Sequence, residues 1–570
     1  MSPFTRLSRR IGWLPLLMAG AVEVCGMAVE NGLSLHEQID AILARDWAKE
    51  KITPAAASQD AEFARRVHLD LTGVIPTGTE TRAFLDDARP DKRARLIDQL
   101  LASPEYALHM ARVFDVMLTE RRLPTVKPYD VATAMWRAYL AESFAANKPW
   151  DKLVREILDS DGSDELQPAA AKFYVVRDAE PHQMTRDVGR LFLGMDLQCA
   201  QCHDDPRFDD YKQADYFGIY AFVSRLSLFR DNKLNRSFVG EKAVGDVTFT
   251  SVFTTEQGRT DPRLPGGTMI ADPVLAKGAE YVVAPSNTTR GIPNYSRRKQ
   301  LAEQMPRAET QGFVRNLGNR LWALLLGRGL VHPLDLHHAK NPPSHPEVLQ
   351  CIEQWLVENH YDIQGCLREI ALSRCYQLSS ELPPGSEPPA EAFAVAPLRG
   401  LTPEQLRWSL LQATGRIEAH FVRADAQLKK SNPEEYEAKR NDWRWRKDLY
   451  EQLERQSNLV ITTFAALPGQ DDSKIDPVVD HALFLLNSPK LLDLIKVAPG
   501  TAFDRWAAIS DPGALAEDLY LSIHIRRPTA DETSDVTKIV ERATTPAERA
   551  SALQPFVWGL LLSAEFRFNH

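Results

Sequence analysis

The chain has 570 residues, of which 44% are hydrophobic and 25% charged, and a formal net charge of −9. That length allows several domains with proper cores, and the composition is that of an ordinary globular protein. The acidic balance supplies no overall basic field for nucleic acid, and six cysteines in so long a chain do not make a disulfide-built scaffold.

At the N-terminus, Arg6, Arg9 and Arg10 form a positive region ahead of an apolar stretch, Ile11 to Val24, broken by Glu23. Gly26-Met27-Ala28 then offers small residues for cleavage, so residues 1–28 read as a signal peptide. Ser8-Arg9-Arg10 faintly resembles a twin-arginine signal, and Cys25 follows a poor lipid-attachment context; the general secretory route fits better. The apolar stretch is too short for a stable anchor and no long one follows, so no transmembrane span is expected after signal removal. Export would place the mature chain in the periplasm or cell envelope.

From Ser34 the text is mostly helical. Ser34 with Glu37, and Thr77 with Glu80, have capping-box spacing, and Gly73 with Pro76 ends a helix over Phe63 to Leu71. Arg93 to Leu101, a helix opened by Ser103-Pro104, Val131 to Phe144 and Trp150 to Leu158 extend the pattern. A helix over Met184 to Leu193 then delivers the chain to Cys199-Ala200-Gln201-Cys202-His203.

In an exported protein, Cys-x-x-Cys-His is the usual attachment site of a c-type haem. The thiols of Cys199 and Cys202 would add across the two porphyrin vinyl groups, and His203 would bind the iron. A thioredoxin-like pair would want a βαβ context and has no use for the histidine. Half of a zinc site would want a second ligand pair, and the only suitably spaced histidines, His332 with His337 or His338, lie far downstream. For the sixth iron position, Met269 in a Pro-Gly-Gly loop and His182 before the leading helix are the candidates, beside an open site. Asp204, Asp205, Asp209 and Asp210 crowd the motif as loop carboxylates that would also lower an iron potential or attract a cation. Tyr216, Phe217, Tyr220 and Phe222 follow on a short helix over Asp215 to Ser224, and core packing is their default role.

Residues 231–296 change character. Val247 to Thr254 alternates as a strand does and Tyr281-Val282-Val283 follows, so a β-rich insert is expected between a helical domain over 34–230 and another over 297–570. Pro-rich strings near Pro383 and Pro388 punctuate the second, and Ala424 to Gln456 reads as a charged surface helix or helical pair. Cys351, Cys366 and Cys375 fit buried free thiols. The fold class expected is mainly α, two or more helical domains with a small β-rich insert.

Several strings together resemble one family. They are Phe63-Ala64-Arg65-Arg66-Val67-His68-Leu69-Asp70-Leu71-Thr72-Gly73, Leu101 to Tyr106, and Phe192-Leu193-Gly194 leading into Cys199–His203. In the second half they are Asn319-Arg320-Leu321-Trp322, Gly327 to Val331, Asn341 to Pro346, Ser373 to Ser380 and the tail Trp558 to His570. The chain is similar to the paired planctomycete family whose N-terminal half is called a planctomycete cytochrome-c-like domain and whose C-terminal half is a domain of unknown function. That resemblance implies an exported location and a c-type haem, and hands over no reaction. The chain departs from the family pattern in having Asp205 where a second His would stand, an extra Arg207 before Phe208, and no Trp-rich segment after Tyr106.

The function expected is that of an exported c-type haem-binding protein doing electron transfer or redox chemistry in the envelope, with an unidentified redox partner. Alternatives are a haem-linked oxidoreductase acting on an extracellular substrate such as a polysaccharide, and a structural or interaction protein with a metal or vestigial site. No Gly-x-Ser-x-Gly, His-Glu-x-x-His or Walker-type string points to another chemistry.

Overall fold

The computed structural model describes residues 32–123, 133–164, 168–255, 257–467 and 479–570. The signal-peptide reading of residues 1–28 lies outside them. Helix makes up 57% of the structure and the sheets are small two-stranded pieces, so the fold is mainly α.

The capping signals act as their chemistry requires. Ser34 N–H donates to Glu37 Oε2 at 2.8 Å ahead of helix Leu35–Glu50, and Thr77 N–H to Glu80 Oε2 at 2.8 Å ahead of Gly78–Asp86. Ser103 accepts from Tyr106 N–H and Pro104 opens Pro104–Thr119. Asp60–Thr72 ends on Gly73 in the left-handed conformation, and Lys92–Leu101, Thr133–Ala145, Trp150–Asp159, Pro181–Leu193 and Gln213–Val223 complete the first half.

The insert is three antiparallel hairpins: Leu226–Asp231 with Arg236–Glu241, Val247–Thr250 with Gln257–Thr260, and Tyr281–Val283 with Ile292–Pro293. The strand expected through Thr254 stops at Thr250. Beyond it Val252 N–H leaves the ladder and donates to Cys202 O at 3.1 Å. The stretch 424–456 takes the form of the helical pair, with a short helix between its members. It is split among Arg416–Ser431, Tyr436–Asn441 and Trp443–Phe464, with a break at Asn432-Pro433, where proline cannot continue the hydrogen-bond ladder.

The two helical halves share one hydrophobic cluster that runs from Leu35 to Phe566. Leu35–Glu50 packs on Pro346–Glu358 and Ile363–Leu372; Trp150–Asp159 packs on Arg297–Gln304; Pro181–Leu193 packs on Gln311–Leu326. The C-terminal strand Phe568–Asn569 pairs with Arg399–Gly400. Buried polar groups tie this seam. Arg65 donates to the carbonyls of Phe566 and Phe568, and Arg66 to those of Tyr376 and Leu378. The Asp70 carboxylate accepts from Arg399, Tyr376 and Asn569. Arg65, Arg66 and Asp70 belong to the Phe63–Gly73 string, and their partners to the Ser373–Ser380 string, the 399–400 strand and the tail. Among described residues no helix is long and apolar enough to cross a membrane.

Candidate functional site

Helix Pro181–Leu193 ends on Gly194, whose φ of +68° lets the chain reverse into the cysteine segment. A side chain there would also collide with the second half, since a Cβ would lie 2.7 Å from His337 Cδ2. The chain then makes a single 3-10 turn, Cys199–Gln201, closed by Cys202 N–H donating to Cys199 O at 3.2 Å. So short a turn has little stability of its own.

It is held from outside. Arg186 donates to Gln201 Oε1 at 3.0 Å, and Gln213 Nε2 to the carbonyls of Gln201 and Thr250. A loop of the second half, residues 335–341, covers the flank. Asp196 N–H donates to Asp335 O at 2.8 Å, His337 N–H to Gly194 O at 2.9 Å, and Lys340 Nζ to Arg207 O at 2.8 Å. Tyr211 Oη donates to His337 O, and Ala339 N–H to Asp210 Oδ2 at 2.5 Å. The Phe208 ring stacks on His338 with centroids 3.8 Å apart.

Cys199 and Cys202 are unpaired and exposed on this turn. His203 follows with its Nδ1 2.6 Å from Asp204 O. A carbonyl only accepts, so Nδ1 carries the proton and Nε2 is the lone-pair nitrogen in the neutral ring. The Phe253 ring lies 4.3 Å from the imidazole and limits its rotation. An open cavity of about 440 Å³ borders all three residues, with Phe208 and Leu336 as its apolar surface and Asp196, Gln198 and Arg207 as polar lining. The donor set fits a covalent porphyrin. Two free thiols and an imidazole oriented by a backbone carbonyl face one cavity, and this second hydrogen bond is the usual way a ligating histidine is fixed.

The four carboxylates are engaged in holding the loop. Asp204 accepts from Gln213 N–H at 2.8 Å and pairs with Lys212, while Asp209 pairs with Lys340 at 3.2 Å. Burial works against ionisation of Asp205, yet the N–H groups of Arg207 hold its carboxyl below the usual range. Arg207 also reaches to 3.9 Å from Cys199 Sγ. Asp205 thus anchors an arginine over a thiol.

The other sequence candidates stand elsewhere. Met269 is 62% exposed and His182 is hydrogen-bonded through Nδ1 to Tyr216 Oη at 2.8 Å and stacked on Tyr220; neither lines the cysteine cavity. Tyr216, Phe217 and Phe222 are buried core. Cys351 is buried, Cys366 and Cys375 are buried free thiols, and burial pushes the Cys375 thiol up to about 12. Among the described residues no three His, Cys, Asp or Glu side chains are grouped to hold a metal ion. Asp335 pairs with Arg190 and Arg320, so the His332–His338 segment acts as a clasp on the cysteine turn. Sequence reading placed those histidines far from the motif, and no local pattern joins the two segments.

Comparison with known proteins agrees with this two-part layout. Residues 38–227 match the family model PSCyt2, a protein of unknown function (DUF1549), and residues 297–540 match PSD1, a protein of unknown function (DUF1553). Comparison with curated proteins and with solved structures gives no match. The chain therefore carries regions similar to these two families in this order, with Cys199–His203 in the first and the clasping loop in the second.

Proposed function

We propose that the protein is an exported c-type haem protein of the cell envelope that transfers electrons to or from a redox partner. This reading follows the planctomycete cytochrome-c-like resemblance. The observation that carries it is His203 Nδ1 bonded to Asp204 O beside two exposed free thiols on one turn. Cys199 and Cys202 would hold the porphyrin through thioethers, and His203 would present Nε2 to the iron. Once bound, the group supplies one-electron chemistry whose potential depends on axial ligation, burial and neighbouring charge. Phe253 and the 335–341 loop keep the imidazole and the turn in one arrangement.

Met269 and His182 do not line the cavity, so this reading assigns neither of them to the iron. The test is protein made in a host that matures c-type cytochromes. Its peroxidase-active stain should survive denaturing electrophoresis and vanish in a Cys199→Ala/Cys202→Ala variant. Unstained protein from a competent host refutes the haem reading.

A further inference from the structure

A second cavity, of about 1260 Å³, opens where the end of helix Pro181–Leu193, the 264–270 turn of the insert, the 304–312 connection and the 337–343 loop meet. It exceeds the roughly 300–1,000 Å³ of ordinary small-molecule pockets, which suits a ligand longer than one ring. The smaller cavity lies next to it, because His338 lines the large one while its stacking partner Phe208 lines the other.

Its fixed charges balance and favour neither sign of ion. The fixed charges in the lining are Asp210, Arg307, Glu309 and Arg315, two of each sign. Three of these are engaged: Asp210 with Ala339 N–H, Arg307 Nε with Glu303 O at 2.9 Å, and Arg315 Nε with Glu353 at 2.8 Å. Burial holds the His337 imidazole down to about 3, so it is neutral at ordinary pH. The remaining polar lining is rich in groups that both donate and accept. Gln304, Gln311 and Thr268 make no side-chain hydrogen bond with described residues, and a carboxamide or hydroxyl matches the two-way bonding of an alcohol. Between them Leu264, Ile270, Val357, Tyr361 and four prolines give apolar surface for C–H faces.

We propose that this cavity is a binding cleft for an uncharged, hydroxyl-rich chain, an oligosaccharide. The inference stands on the cleft's own lining and does not need haem at Cys199 and Cys202. It makes the protein a carbohydrate binder whose ligand lies one aromatic layer, Phe208 on His338, from the cysteine turn.

The test uses the full mature chain on an array of neutral and charged oligosaccharides beside a peptide array, followed by calorimetric titration with the best ligand. Retention of uncharged oligosaccharides is expected. Ala308→Trp, at the exposed lip, should weaken that binding by about tenfold or more, and Gln311→Ala by several-fold, with unchanged melting temperatures. The covalent stain is read in parallel and should not change in either variant, so loss of sugar binding is separable from failure of the haem reading. Retention of peptides or acidic sugars alone, no retention at all, or full binding by Ala308→Trp would overturn the proposal.

Discussion

Replacing Asp70 by alanine should destabilise both halves of the protein at once. The carboxylate is 2% exposed and accepts from Arg399 Nη2 at 2.8 Å, Asn569 Nδ2 at 2.8 Å and Tyr376 Oη at 2.9 Å. Hydrogen bonds to a charged group are worth about 1.5–3 kcal/mol each, so simple addition for the three would give roughly 4.5–9 kcal/mol. The true loss is smaller. Arg399 keeps its bonds to the carbonyls of Leu324 and Leu325. A loss of about 3–5 kcal/mol, that of breaking a buried ion pair, is expected for Asp70→Ala. Asp70→Asn keeps an acceptor for Tyr376 and should cost about 1–3 kcal/mol. Urea unfolding followed by tryptophan fluorescence and circular dichroism measures both. Buried Trp136, Trp322 and Trp506 report from either half, so one coincident transition shifted to lower urea with an unchanged slope is expected. A loss below about 1 kcal/mol, or a shift confined to one half, would refute the idea that the seam is cooperative.

Acid should weaken the same seam through Glu454. Burial acts to raise this carboxyl, but Arg112, Arg137 and Arg407 outweigh it and hold it at about 2. A depressed carboxyl stabilises the fold above its unfolded value near 4.3 and loses that contribution as pH falls towards 2, so roughly 3 kcal/mol should disappear across that window. Glu454→Gln should flatten that part of a stability–pH curve; an unchanged slope counts against it. Gly194→Ala forces a Cβ against His337 at a left-handed residue, and should lower the melting temperature through about 1–2 kcal/mol of backbone strain plus the collision. Limited proteolysis should cut first within Arg230–Tyr295 or Glu381–Phe393, where exposed irregular backbone gathers, and early cleavage inside Phe63–Leu118 would contradict the buried helices seen there. The ferric protein should bind added cyanide or imidazole rapidly; a low-spin spectrum abolished by Met269→Ala or His182→Ala would show a protein ligand in the sixth position.

The helices were legible because their signals are local. Thr77 and Glu80, Ser103 and Pro104, and Gly73 act within one turn of where they stand, and the apolar spacing of Leu96, Ile97, Leu100 and Leu101 needs only the helix period. Val247 to Thr254 misled because alternation specifies a pleat and not a partner. Thr250 is the last residue to find one in Gln257, and Val252 is drawn to Cys202 instead. The cysteine motif was legible as a string, since its spacing alone carries the signal. Its surroundings were not. His338 stands well over a hundred residues along the chain from Phe208, and no periodicity or cap links them. The same holds for Asp70 with Asn569, a pair that nothing short of the folded seam brings together.

The strings that mark the family resemblance divide by what they do in the fold. Arg65, Arg66 and Asp70 reach across to the second half and line neither of the two cavities. Asn319, in the Asn-Arg-Leu-Trp string, donates to Val331 O and accepts from Val331 N–H, fixing the approach to the loop that carries His337 and His338. Those contacts set where residues 335–341 fall on the cysteine turn. A 3-10 turn of three residues cannot by itself keep an imidazole in register with two thiols. The second half supplies that rigidity through Asp335, His337 and Lys340, which bond to the backbone of Asp196, Gly194 and Arg207. The 335–341 loop therefore steadies a turn to which the second half contributes no thiol.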